Sequence, residues 1–332
     1  MPEVPSDREV PASGAQSDPQ LARVLRAKAL VEMKRLSRAT KALLQGDLAS
    51  MTESTITALR ALHPKATDPV PALPEEAPRI QVDTEVLVSL VRKRVANGSS
   101  PSYSGWTGEL LLALLDDLDC LHGLAQIVED QLNGSLDDMT RDFILGSCLI
   151  AGAKPTGGVR PIAMGEPIYK LAGQYALYLV RQELPPLVEP IQLSLSPGGS
   201  ERAAHVLQAA IETGGHDSIV VKTDFRNAFN TIKRSSLLGE MFKAPSLSRI
   251  WRFVHWAYKA PSSLLLVDQG AVVGELPSSE GVRQGDVLGA SLFALAVQPL
   301  LEVRQEPSNR EGIGHLRRLR VGRTAKGCPG GL

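Results

Sequence analysis

The chain has 332 residues, 43% of them hydrophobic, and its 36 Lys and Arg are matched by 36 Asp and Glu. That length allows two domains, or one large domain with an added segment, and a sizeable core. No apolar run reaches the ~18 residues of a spanning helix, and a net charge of +0 carries no composition-level nucleic-acid signal in either direction.

Residues 1–18 are small and polar and read as disordered. From Pro19 to about Gln45, Leu25, Leu30, Met33, Leu36 and Leu43 recur at helical spacing, which predicts one amphipathic helix closed by Gly46. A shorter helix at 55–62 completes a helical N-terminal segment over 19–63. Five prolines within 64–80 predict a stiff linker over 64–83 and a domain boundary there. A helix over 84–97 ends at Asn97-Gly98, and helical patterns return over 107–146.

Short strand-like runs then occupy 147–151, 159–163, 191–195, 218–224, 263–267 and 271–276. Helices at 166–183, 200–213, 234–243, 246–259 and 286–303 are interleaved with them. With a hairpin turn at Asp268-Gln269-Gly270, residues 84–304 read as one α+β unit with a mixed or antiparallel sheet. Residues 305–332 lose periodicity and gather Arg317, Arg318, Arg320, Arg323 and Lys326. This stretch reads either as a basic nucleic-acid-binding tail or as the non-native end of a truncated or frame-shifted gene copy.

Cys120, Cys148 and Cys328 form no CxxC pair and have no His at metal-ligand spacing, the usage expected of reduced thiols. No secretory pattern opens the chain, so the expected location is intracellular, nuclear or cytoplasmic.

Three blocks carry the chemistry. Lys154-Pro-Thr-Gly-Gly-Val-Arg-Pro-Ile162 is a glycine turn flanked by two cations, Lys154 and Arg160, suited to clamping phosphates. Ile219-Val-Val-Lys-Thr-Asp-Phe-Arg-Asn-Ala-Phe229 delivers one carboxylate, Asp224, at the end of a β-branched run. Gly281-Val-Arg-Gln-Gly-Asp-Val-Leu-Gly289 is a tight glycine turn leading into an apolar helix, with Asp286 as its natural cap.

In this order the blocks resemble the fingers and palm of a reverse transcriptase, most closely the non-LTR retrotransposon kind. The resemblance covers about 95–302, loosely including Ser104 to Leu110 and Leu292 to Leu300. It implies a polymerase fingers/palm fold and RNA-templated DNA synthesis from deoxynucleoside triphosphates. Such chemistry uses two divalent cations, Mg²⁺ or Mn²⁺, about 3.5–4 Å apart on carboxylates. Carried over by position, Asp224 is the catalytic metal ligand, and Lys154 and Arg160 hold phosphates. Phe225 and Phe229 lie against the nucleotide, Phe229 excluding a 2′-hydroxyl, while Gln284 and Gly285 support the base pair. Partners would be an RNA template, a DNA primer and the nucleotides, with no membrane.

Three places depart from the pattern: Val287 stands where Pro is usual, Arg283 stands where Gln is common, and Asn227 and Asn230 replace a frequent Lys and Asp. More consequentially, no apolar-flanked Asp-Asp pair follows Asp224. Asp116-Asp117 and Asp137-Asp138 precede it in helical text and read as caps, and after Leu301 only Glu302, Glu306 and Glu311 are acidic. The expectation is a fragment truncated before that motif and weakly active or inactive. The alternative is a non-catalytic nucleic-acid-binding protein that keeps the fingers cleft.

Overall fold

A computed structural model describes residues 19–32, 34, 36–44, 48–94, 102–154, 157–213, 225–283 and 285–303. The chain divides into two compact units, Met1–Asp47 and Leu48–Leu332.

In the first unit, α1 (Pro19–Glu32) and α2 (Leu36–Leu44) pack as a hairpin around Ala27, Leu30, Ala39 and Ala42. The single helix expected over this stretch is broken at Lys34, whose φ of 57 reverses the chain while its N–H reaches the Val31 carbonyl at 2.8 Å. A two-sided apolar pattern suits two short helices facing each other as well as one long one. Gly46 and the ends of the hairpin lie outside the described residues.

The second unit opens with α3 (Glu53–Leu62), α4 (Thr84–Arg94), α5 (Gly108–Ala113), α6 (Leu118–Asn133) and α7 (Asp138–Leu145). Then come β1 (Ser147–Ala153), β2 (Val159–Gly165), α8 (Pro167–Val180), α9 (Gly199–Thr213) and α10 (Ala228–Thr231). The order ends with α11 (Arg234–Phe242), α12 (Trp251–Tyr258), β3 (Ser262–Asp268), β4 (Ala271–Ser278) and α13 (Gly289–Val303). Both Asp-Asp pairs cap helices: Asp117 accepts from Cys120 N at 2.9 Å to start α6, and Asp137 from Thr140 N at 2.8 Å to start α7.

The sheet runs β2-β1-β3-β4, two antiparallel hairpins joined by a parallel β1–β3 pairing, so the expected α+β class with a mixed sheet is observed. Leu149, Ala151, Leu264, Leu266 and Leu276 line one face and bury against Leu59 of α3, each buried leucine stabilising the fold by about 1.5–3 kcal/mol. The larger core is helical, built from α4, α6, α8, α11, α12 and α13 around Trp256, Phe253 and Tyr258. Gln269 and Gly270 both have positive φ, the two-residue hairpin turn expected after Asp268.

Besides the break at Lys34, one expected strand differs from the structure. Residues 191–195 form turns rather than a strand, because Gln192 spends its amide on the Ala294 carbonyl and Gln298 and no strand lies alongside to pair with it. The unit boundary falls at Asp47, ahead of the proline-rich stretch. That stretch is strapped onto α6 and α8: Asn133 pairs both backbone groups of Ile80 at 2.8 Å, Glu129 takes Val82 N, and Tyr175 takes Asp83 N. Prolines leave the backbone without its own ladder, so neighbouring side chains supply the partners. The run at 218–224 lies outside the described residues.

Candidate functional site

The first block is a β-hairpin. Lys154 N–H donates to Gly158 O at 3.1 Å, Gly157 N–H donates to Lys154 O at 3.0 Å, and both glycines sit at positive φ, near +84 and +83. Side chains with a Cβ are strained at such angles, which is why two glycines occupy the tip. Lys154 and Arg160 are both exposed, flanking that tip, and Arg160 pairs in register with Gly152. Pro155 and Thr156 lie outside the described residues.

Of the second block, Asp224 lies outside the described residues, so its position is not part of the geometry. Phe225 is exposed, and Asn227, at φ 53, turns the chain into α10 with its amide on the Leu62 carbonyl at 2.8 Å. Phe229 is half-buried, its ring stacked on Phe293 of α13 with centroids 4.9 Å apart.

The third block ties the other two together. Gly281, at φ +70, is pressed so closely on α10 that a Cβ would lie 2.3 Å from the Phe229 carbonyl oxygen. Val282 N–H donates to that oxygen at 2.8 Å, and Gly281 N–H donates to Ile232 O at 2.9 Å. Four residues on, Gly285 at φ +107 lies over β2, where a Cβ would stand 2.8 Å from the Ala163 carbonyl oxygen. Gln284, between them, lies outside the described residues. One short loop therefore touches the β1–β2 hairpin on one side and the Phe229 turn on the other.

A buried polar cluster fixes this loop. The Asp286 carboxylate, 2% exposed, accepts from Tyr169 OH at 2.5 Å and Tyr258 OH at 2.7 Å, and its other oxygen takes Leu288 N at 2.9 Å. Asp286 is thus occupied internally, and its bond to Leu288 N closes a turn ahead of α13, which begins at Gly289, rather than capping that helix as expected. Arg283 stands 3.7 Å from it, close enough to pair charges but beyond hydrogen-bonding range. The guanidinium lies over the Tyr169 ring at 4.8 Å and binds the Leu145 carbonyl at 2.6 Å. Burial pulls the Arg283 pKa down, but Tyr169, Tyr258 and Asp286 together outweigh it and hold the guanidinium above its ordinary value. Burial, reinforced by Asp286, pushes both tyrosines up, keeping them protonated donors.

Arg234 extends the cluster, donating to Gly281 O at 3.2 Å and Ser278 Oγ at 3.0 Å, and burial lowers its pKa to about 10. Lys170 joins Ser147, Ala163, Gly165 and Gly285 around a cavity of about 10 Å³, enough for roughly one water. Burial lowers the Lys170 ammonium, with Glu166 opposing. Glu166 itself is buried and accepts from Ser102 Oγ at 2.7 Å and Ser104 Oγ at 2.5 Å, tying the 102–104 segment to α8.

Sequence reasoning named the loop but missed Tyr169, Tyr258 and Arg234, which lie in no motif. Arg283, which stands where Gln is common in the family, reads in the sequence only as a departure from the pattern. Among the described residues no three or more His, Cys, Asp or Glu converge, so these residues alone do not fit a two-cation centre. Nor, among them, is any helix long and apolar enough to cross a membrane.

Residues 153–310 match the reverse transcriptase (RNA-dependent DNA polymerase) family. Over 237 residues, 71% of its length, the chain is 28% identical to the retrotransposable element SLACS 132 kDa protein of Trypanosoma brucei gambiense. It spans 20% of that relative.

Proposed function

We propose that the parent activity of this chain, whose residues 153–310 match the reverse transcriptase family, is RNA-templated DNA synthesis from deoxynucleoside triphosphates in a non-LTR retrotransposon. The observation that supports this reading best is the convergence of three sequence-distant blocks on one loop, Gly285 against Ala163 and Gly281 against Phe229. A phosphoryl-transfer site needs such positioning, because most of its catalysis is geometry and electrostatics rather than covalent chemistry.

In this reading the primer 3′-hydroxyl attacks the α-phosphate in line. The exposed Lys154 and Arg160 neutralise template or triphosphate oxygens at the mouth of the site. Phe229, braced by Phe293, presents its ring edge to the sugar and disfavours a 2′-hydroxyl, with Phe225 alongside. Gln284 and Gly285 lie beneath the templating pair. Reverse transcriptases use divalent cations, and Asp224 is the ligand proposed for Mg²⁺ or Mn²⁺ here.

With one such carboxylate and no following Asp-Asp pair in the 332 residues, the chain alone extends primers weakly or not at all. The test is template–primer binding by fluorescence anisotropy, paired with magnesium-dependent extension and Asp224→Asn as control. Salt-sensitive binding with feeble extension supports the reading. Absence of binding at low salt overturns it, and robust extension overturns the weak-activity part.

A further inference from the structure

The turn that carries Phe229 is held from two sides. From one, the N–H groups of Gly281 and Val282 donate to Ile232 O and Phe229 O. From the other, Asn227 reaches out of the turn, its amide Nδ2 donating to Leu62 O at 2.8 Å. Asn227 sits at a φ of 53, a left-handed conformation that Asn tolerates better than most residues. Its own carbonyl accepts from Asn230 N and Thr231 Oγ1, both at 3.1 Å, so the turn closes around this one residue. The side chain caps no N–H of α10, which leaves its amide to α3.

Leu62 is the last residue of α3, and a helix leaves its final carbonyls without partners of their own, so an acceptor is available there. The helix is itself fixed to the sheet. Leu59 is buried among Leu149, Leu264 and Leu276, and Met51 N–H, just ahead of α3, donates to Asp268 Oδ2 at 3.1 Å. A second tie follows: Thr67 N–H meets Glu280 Oε1 at 3.4 Å, and the other Glu280 oxygen takes Arg234 N–H at 2.8 Å. The exposed Lys233–Asp68 pair, at 2.6 Å, adds little. The sheet whose β1–β2 hairpin presents Lys154 and Arg160 thus reaches the Phe229 turn through α3. On the reading that Phe229 faces the nucleotide sugar, we propose that Asn227 is a positioning residue for sugar selection, anchored on the C-terminus of α3. Exclusion of one oxygen is steric, and a misplacement of about 1 Å at a reacting site costs up to about 100-fold.

The experiment uses the full chain, Mg²⁺, a fluorescent template–primer ended with a dideoxynucleotide, and either dGTP or GTP as the next complementary nucleotide. No extension is needed, because a nucleotide that binds the complex raises the apparent template–primer affinity, read by anisotropy. The wild type should favour dGTP over GTP by about 10–100-fold. Phe229→Ala, the reference, should bring that ratio close to unity. Asn227→Gly keeps the left-handed turn and removes only the amide, and should lower the ratio by about fivefold or more. Asn227→Asp, nearly the same in shape but acceptor-only at neutral pH, should do the same. Circular dichroism checks that each variant is folded. A levelled ratio in Phe229→Ala with the wild-type ratio kept by either folded Asn227 variant overturns the inference and leaves the polymerase reading standing. Equal losses of dGTP and GTP affinity at an unchanged ratio also overturn it, since Asn227 would then only support the fold. A wild type that does not distinguish the two nucleotides, or binds neither, overturns the sugar reading of Phe229 and this role of Asn227 with it.

Discussion

The backbone N–H of Val282 donates to the carbonyl of Phe229 at 2.8 Å, joining two segments 53 positions apart in sequence. The bond forms because Gly281 lets the two backbones meet. A methyl group there would stand 2.3 Å from the same carbonyl oxygen, at a φ of +70. Gly281→Ala should therefore destabilise the protein by about 2–4 kcal/mol. Urea unfolding measures the loss, and a change under about 0.5 kcal/mol would mean that the two segments part easily.

The Asp286 cluster makes a second graded test. Tyr258→Phe removes one donor from a buried carboxylate that Tyr169 still serves, and should cost about 1–3 kcal/mol. Asp286→Ala leaves the Arg283 guanidinium, 5% exposed, without its anion and should cost about 3–5 kcal/mol. Equal effects of the two variants in a thermal or urea melt would mean that charge pairing at Arg283 contributes little.

Acid sensitivity follows from two histidines. Burial holds His63 below its ordinary 6.5 against the opposing bond to Leu59 O, and burial together with Lys259 and Arg141 does the same to His255. An unfolded chain takes up these protons near 6.5 whereas the folded one does so only at lower pH. Stability is thus complete above 6.5 and falls as pH drops below it toward the folded values. Urea midpoints at about pH 7.5 and about pH 5.5 test the slope, which His63→Gln should flatten. A profile flat across that window in the wild type would rule out the histidine account.

Lys154 and Arg160, exposed on either side of the glycine turn, are the proposed phosphate-binding side chains. Each alanine variant should weaken template–primer binding and lower the slope of log K against log salt by about 0.9 for every phosphate it no longer neutralises. Slopes that stay at the wild-type value in both variants would place the phosphates elsewhere on the protein.

Much of the fold was legible locally. The β1–β2 and β3–β4 hairpins announce themselves through Gly157-Gly158 and Gln269-Gly270, and Asp117 and Asp137 through the helices they cap. Such features depend on a few neighbouring residues, so sequence carries them directly. The break at Lys34 was hidden, because a hairpin of two short helices and one long helix share an apolar period.

By itself the sequence determined the three blocks, their order, and the residue types able to hold phosphate, sugar and cation. Tertiary structure alone decided that Gly281 and Gly285 are points of close backbone approach rather than mere turns, and that Asp286 answers to Tyr169 and Tyr258. It also decided that the proline-rich stretch is fastened to α6 and α8 rather than left as a linker. The physical reason is common to all three: each interaction joins groups far apart along the chain, whose donors, acceptors and missing Cβ atoms acquire meaning only when packing removes water and brings them within about 3 Å.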